Sequence, residues 1–217
     1  MRYFIDGDRV LEVTQVETWL AVLSIFLGYF LGSIPSAYIL VRLTRKTDIR
    51  TLGTGNVGAL NAYQQMGPVA GIAILLADAA KGVVAVFLPL WIGAPDWARY
   101  GSAVAAVIGH TWPVFLNFRG GKGAATILGV GLALAPPLAA ISVVPLVVAI
   151  LTIRNVVIGV AVGFILFNVL IIVTGQPWPL IAVCLVLTLF VVGNYLIRTL
   201  RHMVTAIRQR RWHSVVY

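Results

Sequence analysis

The residues best suited to chemistry lie in one short stretch, Gly109-His110-Thr111-Trp112-Pro113-Val114-Phe115-Leu116-Asn117-Phe118-Arg119-Gly120-Gly121-Lys122-Gly123-Ala124-Ala125-Thr126. It sits between two apolar runs and holds a histidine, an arginine, a lysine and several glycines. Gly120, Gly121 and Gly123 surround Lys122, so the backbone there can approach a ligand closely and take positive φ at little cost. Backbone N–H groups, a lysine and the start of a helix are the ingredients of a phosphate cradle. The same residues also describe a tight turn whose cations only fix membrane orientation. Local chemistry leaves both readings open.

A second loop, Gly53-Thr54-Gly55-Asn56-Val57-Gly58, spells the G-x-G-x-x-G pattern of dinucleotide sites. No strand precedes it and no βαβ unit can follow, so that reading is rejected. What survives is the physics of glycines beside an anion or in a tight turn, with amides from Asn56 and Asn61 and a charge from Arg50. Lys122 does not complete a Walker A motif, because no glycine stands five before Gly121 and Gly123 follows the lysine. It can still steer a phosphate as a point charge. Asp78 and Lys81 are three apart on one helix face and lie inside an apolar run, where charges are expensive. They are expected to neutralise each other or anchor the neighbouring loop, with support of an active site as the alternative. No Ser–His–acid arrangement is evident around Ser33, Ser36 or Ser102. Cys184 lies mid-run as an apolar packing residue and offers no disulfide or cysteine-based zinc site.

These residues must be positioned by membrane helices. Of 217 residues, 60% are hydrophobic and 11% charged, against about 25% charged in soluble domains. Asp6, Asp8, Glu12, Glu17, Asp48, Asp78 and Asp96 are the only acids, and four of them precede residue 18. That scarcity argues against paired-carboxylate catalysis and carboxylate metal sites, and no metal ligand set is expected. The net charge of +9 sits at the ends of apolar runs, which fits anionic lipid head groups and topology rather than nucleic acid. Residues 1–18 are polar and acidic, unlike a cleavable signal.

Apolar runs predict spans over about 18–43 (interrupted by Gly28, Gly32 and Pro35), 68–92, 97–115, 124–135, 138–153, 156–173 and 180–196. The run 124–135 reaches only about 18 Å, short of a hydrocarbon core of about 30 Å. It either starts inside the membrane from a recessed loop or continues past Pro136 and Pro137 as a broken helix. The expected architecture is therefore an all-α membrane protein of seven transmembrane helices. Most lysines and arginines fall in loops 42–67, 117–123 and 154–155 and in the tail, so the N-terminus is expected outside and the C-terminus in the cytoplasm. The domain reading is a polar extracytoplasmic leader (1–17), the seven-helix domain (18–197) and a basic cytoplasmic tail (198–217). Every glycine-rich polar stretch then falls on the cytoplasmic side, as expected of an enzyme working at the inner leaflet.

Taken together, the stretches Gly32-Ser33-Ile34-Pro35-Ser36-Ala37-Tyr38, Asp48-Ile49-Arg50, Gly53 to Asn61, Asp78-Ala79-Ala80-Lys81-Gly82 and Gly109 to Thr126 occur in an order and spacing that resembles the bacterial acyl-phosphate:glycerol-3-phosphate acyltransferase family. The resemblance implies a seven-span enzyme of the bacterial inner membrane, with its active site facing the cytoplasm. It would transfer a fatty acyl group from acyl phosphate to glycerol 3-phosphate or a related polyol phosphate, making lysophosphatidic acid for phospholipid synthesis. No cofactor, metal or acyl-enzyme is implied, and the partners are those two substrates and membrane lipids. His110, Lys122 and Asn56 would be catalytic. Arg50, Gly53, Thr54, Gly55, Gly58, Asn61, Gly120, Gly121, Gly123 and Thr126 would hold substrate phosphate, with Ser33, Asp78, Lys81, Arg201 and His202 in support. Gln64, Val157 and Thr205 stand where the family usually has Arg, Ser and Asn. These departures leave room for a relative acting on another phosphorylated acceptor, or for a non-catalytic lipid-binding or assembly protein.

Overall fold

The structure is a computed structural model that describes residues 7–208, with side chains described for residues 14–198 and 200. Among these residues every regular element is a helix. In an apolar surrounding each backbone N–H and C=O must be satisfied within its own segment, which favours helices. The helices are α1 (Gly7–Ser33), α2 (Ser36–Arg45), α3 (Ala59–Met66), α4 (Pro68–Trp91), α5 (Ala98–Thr111), α6 (Ala124–Leu134), α7 (Pro136–Ile153), α8 (Val156–Val173) and α9 (Trp178–Arg208).

Among the described residues, five segments are long and apolar enough to cross a membrane: Thr14–Arg45, Pro68–Trp91, Pro136–Ile153, Val156–Val173 and Trp178–Arg198. α5 has 14 residues and α6 has 11, giving lengths of about 21 and 17 Å, so neither spans about 30 Å alone. α1 begins at Gly7, well inside the stretch expected as a polar leader. The break expected near Pro35 is present, because proline has no N–H and restricts the residue before it. Its result is two helices, α1 and α2, with Ile34 and Pro35 outside both. The 124–135 run ends at Ala135 (φ −144°), and a new helix starts with Pro136 at its first position, where a missing N–H costs nothing.

Small residues set how closely the helices approach. A side chain at Gly28 would strike Ser102, one at Gly32 would strike the Ala106 carbonyl, and one at Gly109 would strike the Tyr29 carbonyl. α1 and α5 therefore pack backbone to backbone through a small-x-x-x-small stripe, the usual device where lipid supplies no hydrophobic drive between helices. Gly82 of α4 lies against the Thr126 carbonyl of α6 in the same way, and Gly129 of α6 against the Ala79 carbonyl. A cluster of Val86, Val107, Val130, Phe164, Leu187 and Val191 joins α4, α5, α6, α8 and α9. A second cluster, with Val41, Ile49, Val57, Ala62, Ile74 and Leu116, seats the 46–58 loop and α3 on one end of the bundle. That end carries the site.

Candidate functional site

The site begins with the Pro35 break. The carbonyl of Ile34, left outside both helices, accepts a hydrogen bond from Lys81 Nζ of α4. The same ammonium is 2.6 Å from Asp78 Oδ1, and both side chains are buried. His110, at the last turn of α5, places Nδ1 3.7 Å from the same carboxylate oxygen. A buried carboxylate thus faces a lysine and a histidine, as a buried charge must be paired to be tolerated. The mutual neutralisation expected of Asp78 and Lys81 is seen, and so is the anchoring of a neighbouring segment.

The Gly120–Gly123 turn folds back on the end of α5. Gly120 N–H donates to the Thr111 carbonyl (3.2 Å) and Gly121 N–H to the His110 carbonyl (3.1 Å). A side chain on Gly121 would run into His110 Nε2, and Gly123 has φ +93°. Those positions require glycine, because the turn lies flat on the imidazole and then enters α6 in a left-handed conformation. A small cleft of about 190 Å³ opens between the Pro35 break, Val57, His110 and Gly120–Gly121, and Ser33, Asp78 and Lys81 also line it. Ser33 Oγ is buried without a hydrogen-bond partner.

The 53–58 loop is organised from inside by Asn61. Its Nδ2 donates to the carbonyls of Ile49 (3.4 Å), Leu52 (3.1 Å) and Asn56 (3.0 Å), and its Oδ1 accepts from Thr54 N–H at 3.1 Å. Asn61 is only 1% exposed. Its amide is engaged by the loop's own backbone, so it shapes the loop from within. Gly53 and Gly55 take positive φ, Thr54 Oγ1 caps Asn56 N–H at 3.4 Å, and Gly58 leads into α3.

Arg50 is paired within its own loop. Its guanidinium grips Asp48 through Nε and Nη2, the shortest contact being 2.7 Å, and it lies over the Tyr38 ring. The hydrogen bonds from Arg50 hold the Asp48 carboxyl below its usual pKa. Arg50 is thus neutralised locally. Thr126 is fully buried with its hydroxyl unpartnered, on an α6 turn pressed against Gly82 of α4. The first turn of α6 places this side chain within the helix packing. The side chains of Arg201 and His202, expected in support, lie outside the described residues, as does that of Thr205.

Lys122 is half-buried, with Nζ 4.4 Å from the centre of the Tyr195 ring of α9. Burial, and then the positive charge of Arg198, hold its pKa below the ordinary lysine value. Among the described residues no carboxylate lies within ion-pair distance of it. α9 supplies a residue that sequence reasoning missed. Arg198 Nη1 donates to the Gly120 carbonyl (3.1 Å) and to Asn56 Oδ1 (3.3 Å), while Nε donates to Asn194 Oδ1 (3.1 Å). It bridges the two glycine loops. The available signal was weak: Asn194, Tyr195 and Arg198 share one face at the end of the last apolar run.

Comparison with known proteins follows the same outline. The sequence model of the family described as glycerol-3-phosphate acyltransferase matches residues 22–206. A protein of Dehalococcoides mccartyi (strain ATCC BAA-2266 / KCTC 15142 / 195) named glycerol-3-phosphate acyltransferase 4 is 39% identical over 180 residues, covering 82% of this chain and 96% of that protein. A glycerol-3-phosphate acyltransferase of Rubrobacter xylanophilus is 48% identical over 118 residues, 54% of this chain and 59% of the relative. With several curated relatives the match spans only about half their length, 47% to 59%. The fold is similar to the crystal structure of PlsY (YgiH), an integral membrane glycerol 3-phosphate acyltransferase, in its glycerol 3-phosphate form. The TM-score is 0.75 at 28% identity, over 88% of this chain and 93% of that one. The lysophosphatidic acid form of the same protein gives a TM-score of 0.73.

Proposed function

Because the chain belongs to the glycerol-3-phosphate acyltransferase family, we propose that it transfers a fatty acyl group from acyl phosphate to glycerol 3-phosphate. The products are lysophosphatidic acid and orthophosphate. One observation carries the reading: the Gly53–Gly58 loop and the Gly120–Lys122 turn meet at one cleft, with Lys122 lacking a carboxylate among the described residues. Two anionic substrates need fixed positive charge and N–H donors at such a place. The named forms of PlsY hold glycerol 3-phosphate and lysophosphatidic acid, an acceptor and a product of this reaction.

In the step itself, an acceptor hydroxyl oxygen bonds to the acyl carbonyl carbon, and the bond from that carbon to the phosphate oxygen breaks. The hydroxyl proton passes to the departing phosphate or to solvent. Lys122 and the N–H groups at the start of α6 offset the charge on the phosphates and on the transient oxyanion, while those of Gly120 and Gly121 hold the turn on Thr111 and His110. Asn56 contributes its side-chain amide, and His110 supports the turn from beneath. Transfer is direct. The Ser33 and Ser102 hydroxyls have no hydrogen-bond partner, whereas a nucleophilic serine needs a base within reach. An apolar groove lined by Ile127, Val130, Leu146, Phe164, Phe167 and Leu187 gives the acyl chain a place among α6–α9. Gln64 is exposed on α3, and its neutral side chain favours some tolerance toward other polyol phosphates.

Purified protein in detergent, given palmitoyl phosphate and labelled glycerol 3-phosphate, is expected to form labelled lysophosphatidate. Product from a different polyol phosphate, with none from glycerol 3-phosphate, would move the acceptor. No product from either would remove the enzymatic reading.

The same proposal places the chain in the bacterial inner membrane with seven crossings, N-terminus out and C-terminus in. α5 and α6 complete the set with the turns beside them, and the glycine loops face the cytoplasm. The distribution of lysine and arginine supports this orientation. A membrane-impermeant maleimide tests it, because the native Cys184 is buried and 4% exposed. A cysteine replacing Asp96 is expected to label from outside, and one replacing Thr44 only after permeabilisation. The opposite pattern would invert the topology.

A further inference from the structure

We propose that Arg198 is a positioning residue that fixes the side-chain amide of Asn56 in one orientation and clasps the two glycine loops together. The inference rests on the function proposed above and deepens its account of the same site. A guanidinium carries only donors. Only the Oδ1 side of Asn56 can therefore face Nη1, at the observed 3.3 Å. The Nδ2 group must then point the other way, and it lies beside Gly58, 3.0 Å from where a side-chain carbon there would stand. The amide is thereby held as an N–H donor toward the loop rather than as an acceptor.

The second contact, from the same Nη1 to the Gly120 carbonyl at 3.1 Å, ties that choice to the turn bearing Lys122. Asn194 Oδ1, one helical turn back on α9, steadies the guanidinium through Nε at 3.1 Å. Tyr195, beside Asn194, meets the Lys122 ammonium. One end of α9 therefore sets three elements at once: the Asn56 amide, the Gly120 carbonyl and the Lys122 side chain. A lysine at 198 could offer its ammonium to these acceptors but lacks the second nitrogen that binds Asn194 at the same time. Methionine would leave both acceptors without a donor and let the Asn56 amide turn over.

The test is a double-mutant cycle on the acyl-transfer assay, using R198M, R198K, N56A and R198M/N56A in detergent. R198M is expected to lower kcat/KM for glycerol 3-phosphate about tenfold, with R198K recovering part of the loss. R198M/N56A is expected to lose clearly less than the two single losses combined, because both changes remove the same oriented donor and only the Gly120 contact is lost in addition. Fully additive losses, or an R198M enzyme equal to wild type, would overturn the assignment. Thermal unfolding of the same four proteins gives an arm independent of activity. Non-additive shifts in Tm support the clasp, and additive shifts overturn it. If the wild type forms no lysophosphatidate, the functional reading fails, while the Tm cycle still decides whether Arg198 and Asn56 are coupled.

Discussion

Replacing Lys122 with alanine is expected to cut acyl transfer by about 100- to 1000-fold, the range seen when a preorganised charge stabiliser is removed, while the protein stays folded. The residue follows Gly120 and Gly121 on the turn that borders the cleft, where its ammonium meets the Tyr195 ring and no described carboxylate. Arg50 is held by Asp48 and Lys81 by Asp78, so neither replaces it without breaking its own pair. The side chain is half-buried on a turn that packs on His110, and truncation removes charge more than packing. The lowered pKa adds a pH dependence whose sign is fixed. The charged form is the working form, so activity falls as pH rises through the folded-state pKa, sooner than for a free lysine. K122R remains charged at high pH and is expected to extend the alkaline limb even where its peak rate is lower. The check is the pH profile of kcat/KM for both variants. Unchanged activity in K122A would exclude Lys122 from the reaction.

Asp78→Ala is expected to destabilise the protein by about 3–5 kcal/mol, the cost of leaving a buried charge without its partner. Lys81 would keep only the Ile34 carbonyl, and His110 would lose the carboxylate beside Nδ1. Removing both charges is expected to be far milder, because neutral side chains of similar volume avoid the desolvation penalty that makes such pairs costly. The double variant D78A/K81M should therefore recover most of the loss in Tm, and its yield of monodisperse protein should exceed that of D78A. If D78A unfolds no sooner than D78A/K81M, the unpaired Lys81 charge is not what destabilises the single variant. Stability and activity separate here: the double variant folds but still leaves His110 and Ile34 unanchored, so its activity stays low.

Much of this architecture was legible because it is local. The break between α1 and α2 follows from Pro35, the α7 start from Pro136, and the turn at Gly120–Gly123 from its glycines. The Asp78–Lys81 pair follows from helical spacing within an apolar run. Less legible was how each polar side chain is used. Asn61 looks the same in sequence whether it binds a ligand or the carbonyls of its own loop, and only the fold shows that it does the latter. The pairing of Arg50 with Asp48, two residues earlier, is likewise a matter of side-chain direction that the sequence does not specify. Thr126 stands in the same motif as Lys122, yet the helical rotation after Gly123 turns its hydroxyl into the bundle. Arg198 reaches across 142 positions to Asn56, and no local pattern encodes that contact. The start of α1 at Gly7 has no apolar signal, because polar residues can continue a helix that an apolar run sustains.

The central claim is that the cleft joins an acyl group to glycerol 3-phosphate at the expense of an acyl phosphate. The most direct measurement follows orthophosphate release and lysophosphatidate formation in the same reaction, with and without glycerol 3-phosphate. Direct transfer predicts one phosphate per lysophosphatidate, and no phosphate release above background when the acceptor is left out. Phosphate release that continues without acceptor, with no lysophosphatidate formed, would contradict the account and describe a hydrolase instead.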